Sequence, residues 1–178
     1  MKTEYELRVL EIDKEEIAKK ILELGGRLEG EFEQKRYVYD FIPKIHDKWI
    51  RLRTNGKKAT LTIKEITKDT IDGTRELEIE VSNFEDTNRI LNELGYKSKA
   101  YQENRRTRYS LNSVEVDIDE WPLIPAFLEI EGSNEQEINE ILALLEIDKS
   151  KVTAKDVLSI YEEDYEIDLH SIEELKFS

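Results

Sequence analysis

Charged and apolar residues alternate with period two in six separate segments of this chain, which confines the fold to sheets whose two faces differ in kind. Glu4-Tyr5-Glu6-Leu7-Arg8-Val9 opens the series, followed by Ile50-Arg51-Leu52-Arg53 and Leu61-Thr62-Ile63-Lys64. Glu76-Leu77-Glu78-Ile79-Glu80-Val81, Val114-Glu115-Val116-Asp117-Ile118-Asp119 and Leu128-Glu129-Ile130-Glu131 complete it. Weaker patterns over Glu33 to Phe41, around Tyr37 and Tyr39, and over Gln102 to Leu111 bring the predicted strands to eight. Helices intervene. Ile17, Ile21 and Leu24 share one face of a helix predicted over Lys14–Leu24, capped by Asp13 and stopped by Gly25-Gly26. Further helices are predicted over Phe84–Leu94, ending at Gly95, and over Glu135–Leu145, with Ser133 as N-cap and Gln136 at capping-box spacing. A fourth is expected from Ala154 to about Glu163, and Asn55-Gly56 and Asp72-Gly73 read as hairpin turns. The order helix, Leu-Gly, strand at both Leu24 and Leu94 hints at an internal duplication. No linker or low-complexity tract interrupts the chain, so one domain over 1–178 is expected.

Charge narrows the partners. Lys and Arg number 27 against 41 Asp and Glu, a formal charge of -14, which argues against a nucleic-acid polymer and against an anionic membrane surface. A small anion stays admissible, because local clustering decides what a cleft attracts. Without cysteine there is no disulfide, thiolate zinc site or thiol nucleophile. No apolar run approaches the roughly 20 residues of a membrane-spanning helix. Met1-Lys2-Thr3-Glu4 leads straight into the first alternation, so a cytoplasmic protein is expected, and a homodimer is compatible with the sequence. His46 and His170 fall in a predicted loop and tail and make no catalytic constellation, while Trp49 and Trp121 read as packing residues.

Alternation alone leaves open which face is inside. Charges in water around an apolar centre is the ordinary solution. Two features favour the reverse. Three amphipathic helices need an apolar surface to cover, and the charged faces are sorted by sign: acidic on some strands, with Arg51, Arg53, Lys64, Arg106 and Arg108 on others. Carboxylates about 5 Å apart repel by roughly 3 kcal/mol at an effective dielectric of about 20, so several sharing one lumen would need bound cations or protons. Mg²⁺ or Mn²⁺ with carboxylate and phosphate oxygens would meet that need.

The segments together resemble the CYTH proteins, the triphosphate tunnel metalloenzymes, a family that includes class IV adenylyl cyclases, thiamine triphosphatases and inorganic triphosphatases. Glu4-Tyr5-Glu6-Leu7-Arg8 resembles the ExExK signature, Tyr37-Val38-Tyr39-Asp40 the second strand, and Trp49-Ile50-Arg51-Leu52-Arg53 the LRxR segment. Thr62-Ile63-Lys64 is similar to the lysine strand, Arg75 to Glu80 to the acidic central strand, and Arg106 and Arg108 to the basic strand. Asp119 with Phe127-Leu128-Glu129-Ile130-Glu131 is similar to the closing FxEIE segment. The resemblance implies an α+β fold, an eight-stranded antiparallel β-barrel with flanking helices and its charged faces inward. It implies Glu4, Glu6, Glu129 and Glu131 as ligands of Mg²⁺ or Mn²⁺, assisted by Asp119, Glu78 and Glu80. Arg8, Arg51, Arg53, Lys64, Arg106 and Arg108 would hold phosphates, and Glu4, Glu6 and Arg8 would form the catalytic group. Two departures stand out: Arg8 replaces the family lysine and cannot act as a base, and Pro125 replaces a frequent glycine. The activity implied is metal-dependent hydrolysis of a small-molecule triphosphate (tripolyphosphate, thiamine triphosphate or ATP), with inorganic triphosphate preferred because no sequence feature reads a base. The alternatives are an adenylate cyclase releasing cyclic AMP and pyrophosphate, and a polyphosphate- or nucleotide-binding module without turnover.

Overall fold

The structure is a computed structural model describing residues 1–178. Eight strands form a closed ring: β1 (Lys2–Val9), β2 (Arg27–Asp40), β3 (Lys48–Thr54), β4 (Ala59–Ile66), β5 (Thr74–Val81), β6 (Ala100–Leu111), β7 (Val114–Glu120) and β8 (Phe127–Gly132). Around the ring the order is β6-β2-β3-β4-β5-β1-β8-β7, and β7 pairs back onto β6. All eight contacts between neighbours are antiparallel, as expected from the sequence. Helices α1 (Lys14–Glu23), α2 (Phe84–Glu93) and α3 (Glu135–Leu144) lie outside it. No helix is long and apolar enough to cross a membrane.

The ring settles which face is inside. Val9, Val116, Ile118, Leu128 and Ile130 form a buried cluster with Ile17 and Ile21 of α1 and Ile138 and Ile141 of α3. Tyr39, Ile50 and Leu52 pack with Leu91 of α2, and the Tyr39 hydroxyl donates to Asn88 Oδ1 at 2.8 Å. The apolar alternates therefore point outward under helices, and the charged alternates between them are buried in the lumen. Register is enforced by this arrangement, because a one-residue slip would exchange the two faces.

The pairing scheme repeats. Replacing β1, β2, β3 and β4 by β5, β6, β7 and β8 carries every neighbour contact of the ring onto another contact of the ring. Helix α1 follows the first strand of one half as α2 follows the first strand of the other. Both helices stop at a glycine with positive φ, Gly25 at 87° and Gly95 at 93°, where a side chain would be strained. Helix α3 makes the same turn with Glu146, at φ 51°.

After α3 the chain crosses one end of the barrel. Strand β9 (Val152–Thr153) pairs with β1, and β10 (Glu174–Leu175) pairs in parallel with β6, two strands that are not neighbours in the ring. From this segment Tyr161, Leu169 and Leu175 bury against Trp121 and Phe127. The helix expected from Ala154 to Glu163 is reduced to one turn, Val157–Ser159, which widens to a π turn at Ile160–Asp164. Residues before Asp156 cannot join it, since they are drawn along β1 and the Lys155 carbonyl accepts from Arg8. The N-cap of α3 is Asn134 rather than Ser133. Asn134 Oδ1 accepts from the Glu137 amide while Glu137 returns to the Ser133 amide, so the capping partners stand one position later than expected.

Asp72-Gly73 closes a longer β4–β5 loop, Thr67 to Gly73, rather than a two-residue turn. A Cβ at Gly73 would lie 1.8 Å from the Lys68 carbonyl oxygen, so no other residue fits. The same loop offers the Ile71 carbonyl to the Glu6 amide at 2.9 Å, tying it to β1. Gly73→Ala is expected to destabilise the protein by about 2 kcal/mol or more, read as a lower urea midpoint. An unchanged midpoint would show that the loop relaxes freely.

Candidate active site

The lumen contains a cavity of about 290 Å³, lined almost wholly by charged residues of the ring with Trp49, Trp121, Asp156 and Val157. Strand register sets the order of charges. On the β1–β8 wall, Glu6 faces Glu131 and Arg8 faces Glu129. On the β3–β4–β5 wall, Arg51 faces Thr62, which faces Glu78, and Lys64 faces Glu76. Across β6 and β7, Arg106 faces Asp119 and Arg108 faces Asp117.

The cations differ in how firmly they are held. Arg106 reaches three carboxylates: Asp119 at 2.5 Å, Asp117 at 2.8 Å and Glu129 at 2.8 Å. Arg108 forks onto Asp117 at 2.9 and 2.7 Å and adds Glu115 at 2.8 Å. A single nitrogen of Arg8, Nη2, bridges Glu6 at 3.0 Å and Glu129 at 2.7 Å, while Nη1 donates to the Lys155 carbonyl at 2.9 Å. Lys64 spans Glu76 at 3.0 Å and Glu4 at 3.3 Å. The β3 cations are looser. Arg51 makes contacts of 3.3 to 3.4 Å to Glu78 and Glu76, and Arg53 has only Glu78, at 3.7 Å.

Most residues expected at the site are in the lumen: Glu4, Glu6, Arg8, Arg51, Arg53, Lys64, Glu78, Arg106, Arg108, Asp119, Glu129 and Glu131 all line the cavity. Glu80 does not. It lies where β5 leaves the barrel, with its side chain 63% exposed and paired to Lys58 at 3.3 Å, so it is corrected to a rim residue. Glu76, which the resemblance left without a role, is buried between Arg51 and Lys64. Trp121 packs as expected against Tyr161, yet its ring also carries the Arg36 guanidinium at 4.5 Å. Arg36 was missed altogether. Parity could have found it, because Tyr37 and Tyr39 pack outward under α2 and the residues alternating with them in β2, Arg36 and Val38, must face the lumen. Trp49, read as packing, also lines the cavity. His46 and His170 lie apart from the charge cluster, on the outer recesses.

The CYTH domain profile matches residues 2–174, nearly the whole chain. The chain belongs to the CYTH family. A solved protein of Pyrococcus horikoshii is similar at 28% identity and TM-score 0.74, covering 88% of this chain and 98% of the other. A conserved hypothetical protein of Pyrococcus furiosus reaches TM-score 0.77 at 24% identity, with 88% and 99% coverage. A proposed adenylyl cyclase of Hippeastrum, described as having a dominant triphosphatase activity, shares the fold at TM-score 0.60 and 15% identity, over 92% and 96% of the chains. No curated protein matches by sequence.

In this CYTH barrel the carboxylates that lack full neutralisation stand on the β1–β8 wall. Glu131 has no cationic partner; burial first, then Glu129, Glu4, Glu115 and Glu6, push its carboxyl up to about 7. Glu4 is also raised, by burial, with Lys64 opposing. For Glu6 and Glu129 burial acts in the same sense but is outweighed by Arg8 on Glu6 and by Arg106 and Arg8 on Glu129, and both are lowered. No three carboxylates are gathered into a ready-made metal cage, and Arg8 Nη2 stands between Glu6 and Glu129 as a counter-cation. The donor set nevertheless suits a hard divalent cation, being all carboxylate with negative charge left over at Glu4 and Glu131.

Glu131 gives the site a pH signature. Its folded value lies above the ordinary 4.5, so the folded state keeps a proton that the unfolded chain has lost. Stability therefore falls as pH rises through the interval from about 4.5 to about 7. Metal-free protein is expected to lose melting temperature from about pH 5 to about pH 8. Glu131→Gln should flatten that loss, and Mn²⁺ should restore wild-type stability most at the upper end. Calorimetric scans across pH with chelator present check this; an already flat wild-type profile counts against it.

Proposed function

We propose that the chain is a divalent-metal-dependent triphosphatase acting inside the barrel, with inorganic or organic triphosphate as substrate. One observation carries the reading: the lumen is neutralised unevenly. Loosely held cations, Arg51 and Arg53, face across it to carboxylates in excess, Glu4 and Glu131. A metal–polyphosphate complex has the matching distribution, with oxygen anions toward the arginines and positive charge toward the carboxylates. Descriptions of CYTH relatives as triphosphatase or cyclase support it, and divalent metals are general among the family's tunnel enzymes.

Glu4, Glu6, Glu129 and Glu131 would hold the cation, assisted by Asp119 and Glu78, and the cation would supply charge neutralisation and a more acidic water. Arg51, Arg53 and Lys64 would bind phosphoryl oxygens, and their fixed places on a closed sheet let them stabilise charge in the transition state without reorganisation. Arg106 and Arg108 are spoken for by carboxylates, so their role is to hold Asp117, Asp119 and Glu129 in place, with phosphate contact secondary. Arg8 stays charged and cannot accept the proton lost by an attacking water, which would pass to a carboxylate.

An organic triphosphate, and with it a cyclase reaction, draws on a separate observation. A smaller recess of about 120 Å³ shares Val38, Trp49, Gln102 and Asp156 with the lumen and continues over Leu158 and Leu169. An aromatic group could leave the phosphates there and lie against Trp49.

A panel of tripolyphosphate, thiamine triphosphate and ATP with Mg²⁺ or Mn²⁺, analysed by product, separates these readings. Orthophosphate release abolished by chelator is expected. Cyclic AMP with pyrophosphate from ATP would establish the cyclase instead, and binding without product would leave a binding module. Arg53→Gln is expected to lower kcat/KM by about 100-fold, or about 2.7 kcal/mol, while Glu80→Gln stays within about twofold.

A further inference from the structure

Arg36 is the one lumen arginine with no carboxylate in ion-pair contact. It lines the cavity from β2, is 7% exposed and appears in none of the ion pairs that hold Arg8, Arg51, Arg53, Arg106 and Arg108. Its hydrogen bonds all leave from Nη2, to the side-chain oxygens of Gln34, at 3.2 Å, and Asn104. Nε is buried without any partner, and Nη1 makes no hydrogen bond. Neutral amides and the Trp121 face can steady a guanidinium, but they do not cancel its charge.

The strand register makes this more acute. Arg36 stands directly opposite Arg53 of β3, and both side chains enter the same cavity. Like charges in that relation destabilise a sheet even in water. Here burial, then Arg51, Arg53 and Arg106, all oppose the Arg36 charge, while Asp119 alone among the main influences favours it. Guanidinium does not shed its proton to escape, so the imbalance persists as a buried positive charge with unused donors.

We propose that Arg36 forms an anion subsite with Arg53, taking one phosphoryl group of a condensed phosphate at its free Nη1 corner. This rests on the triphosphate reading of the lumen and adds to it a residue from β2, beyond the cations of β3 and β4. Trp121 holds the guanidinium plane, and Gln34 and Asn104 anchor the Nη2 corner, so Nη1 is fixed in place with its hydrogens unclaimed. The subsite would favour ligands with at least one phosphoryl group more than Arg51 and Lys64 can engage, and so would separate condensed phosphates from shorter anions.

The test is calorimetric titration of the full chain with sodium tripolyphosphate in chelator, wild type against Arg36→Gln, with melting temperatures measured without ligand. Binding is expected to weaken about tenfold or more, with ligand-free melting unchanged or raised, because an uncompensated charge has gone. A change in affinity of less than about threefold assigns Arg36 to architecture and overturns the subsite while leaving the triphosphate reading intact. Where wild type takes up no tripolyphosphate, with chelator or with Mg²⁺ or Mn²⁺, the triphosphate reading itself fails. Inorganic phosphate then decides for Arg36: thermal stabilisation of wild type that Arg36→Gln lacks sustains an anion site, and its absence or equality overturns it. If Arg36→Gln does not fold, Arg36→Lys carries the same titration. An ammonium on a flexible stem cannot lie flat on Trp121 with a donor fixed at the Nη1 position, so a loss of about threefold or more is expected and undiminished affinity overturns the assignment.

Discussion

Short-range neutralisation of buried charge governs this fold. A carboxylate or guanidinium taken from water without a partner costs several kcal/mol, and a barrel lumen lined with both survives only if they interleave. Arg106 shows how tightly: its three nitrogens are all engaged by Asp117, Asp119 and Glu129, contributed by two neighbouring strands. Such contacts form only when β6, β7 and β8 meet in one register, so the charges that threaten the interior also fix its pairing. The helices complete the arrangement from outside, where the other faces of those strands need an apolar cover.

Neutralisation is nevertheless incomplete, and the remainder is sorted. Positive charge is left over along β2 and β3, negative charge along β1 and β8. A site built this way holds its ligand-facing groups in place before any ligand arrives, which is where electrostatic catalysis gains most. Arg8 adds a second layer. By bridging Glu6 and Glu129 it occupies, with protein charge, ground that a cation would otherwise contest. Any cation entering there must share those carboxylates with a guanidinium that is also fixed to the tail through Lys155.

Much of this was written in the sequence, though unevenly. Strict alternation at Glu4 to Val9 or Val114 to Asp119 displays strands plainly, and a common alternation of sign and greasiness points to a shared interior. Which side was interior did not follow from period alone, since a two-faced strand reads identically from either face; the family resemblance supplied that. Local pattern failed where distant contacts decide conformation. The tail could continue as a helix by its own spacing, but its pairing with β1 holds the residues before Asp156 extended. Glu80 shares the parity of Glu76 and Glu78, and only the length of the barrel places it beyond the rim. Arg36 hid because it follows Glu33, Gln34 and Lys35, a polar run that masks the simple charged–apolar rhythm marking the other strands.

The repeated pairing scheme has a chemical asymmetry. The mates of β3 and β4, which carry Arg51, Arg53 and Lys64, are β7 and β8, which carry Asp117, Asp119, Glu129 and Glu131. Two copies of the first half, assembled in the same way, would line a tube with cations in excess of Glu4 and Glu6; two copies of the second would leave acids in excess of Arg106 and Arg108. The halves are complementary in charge within one topology, and neither can stand in for the other.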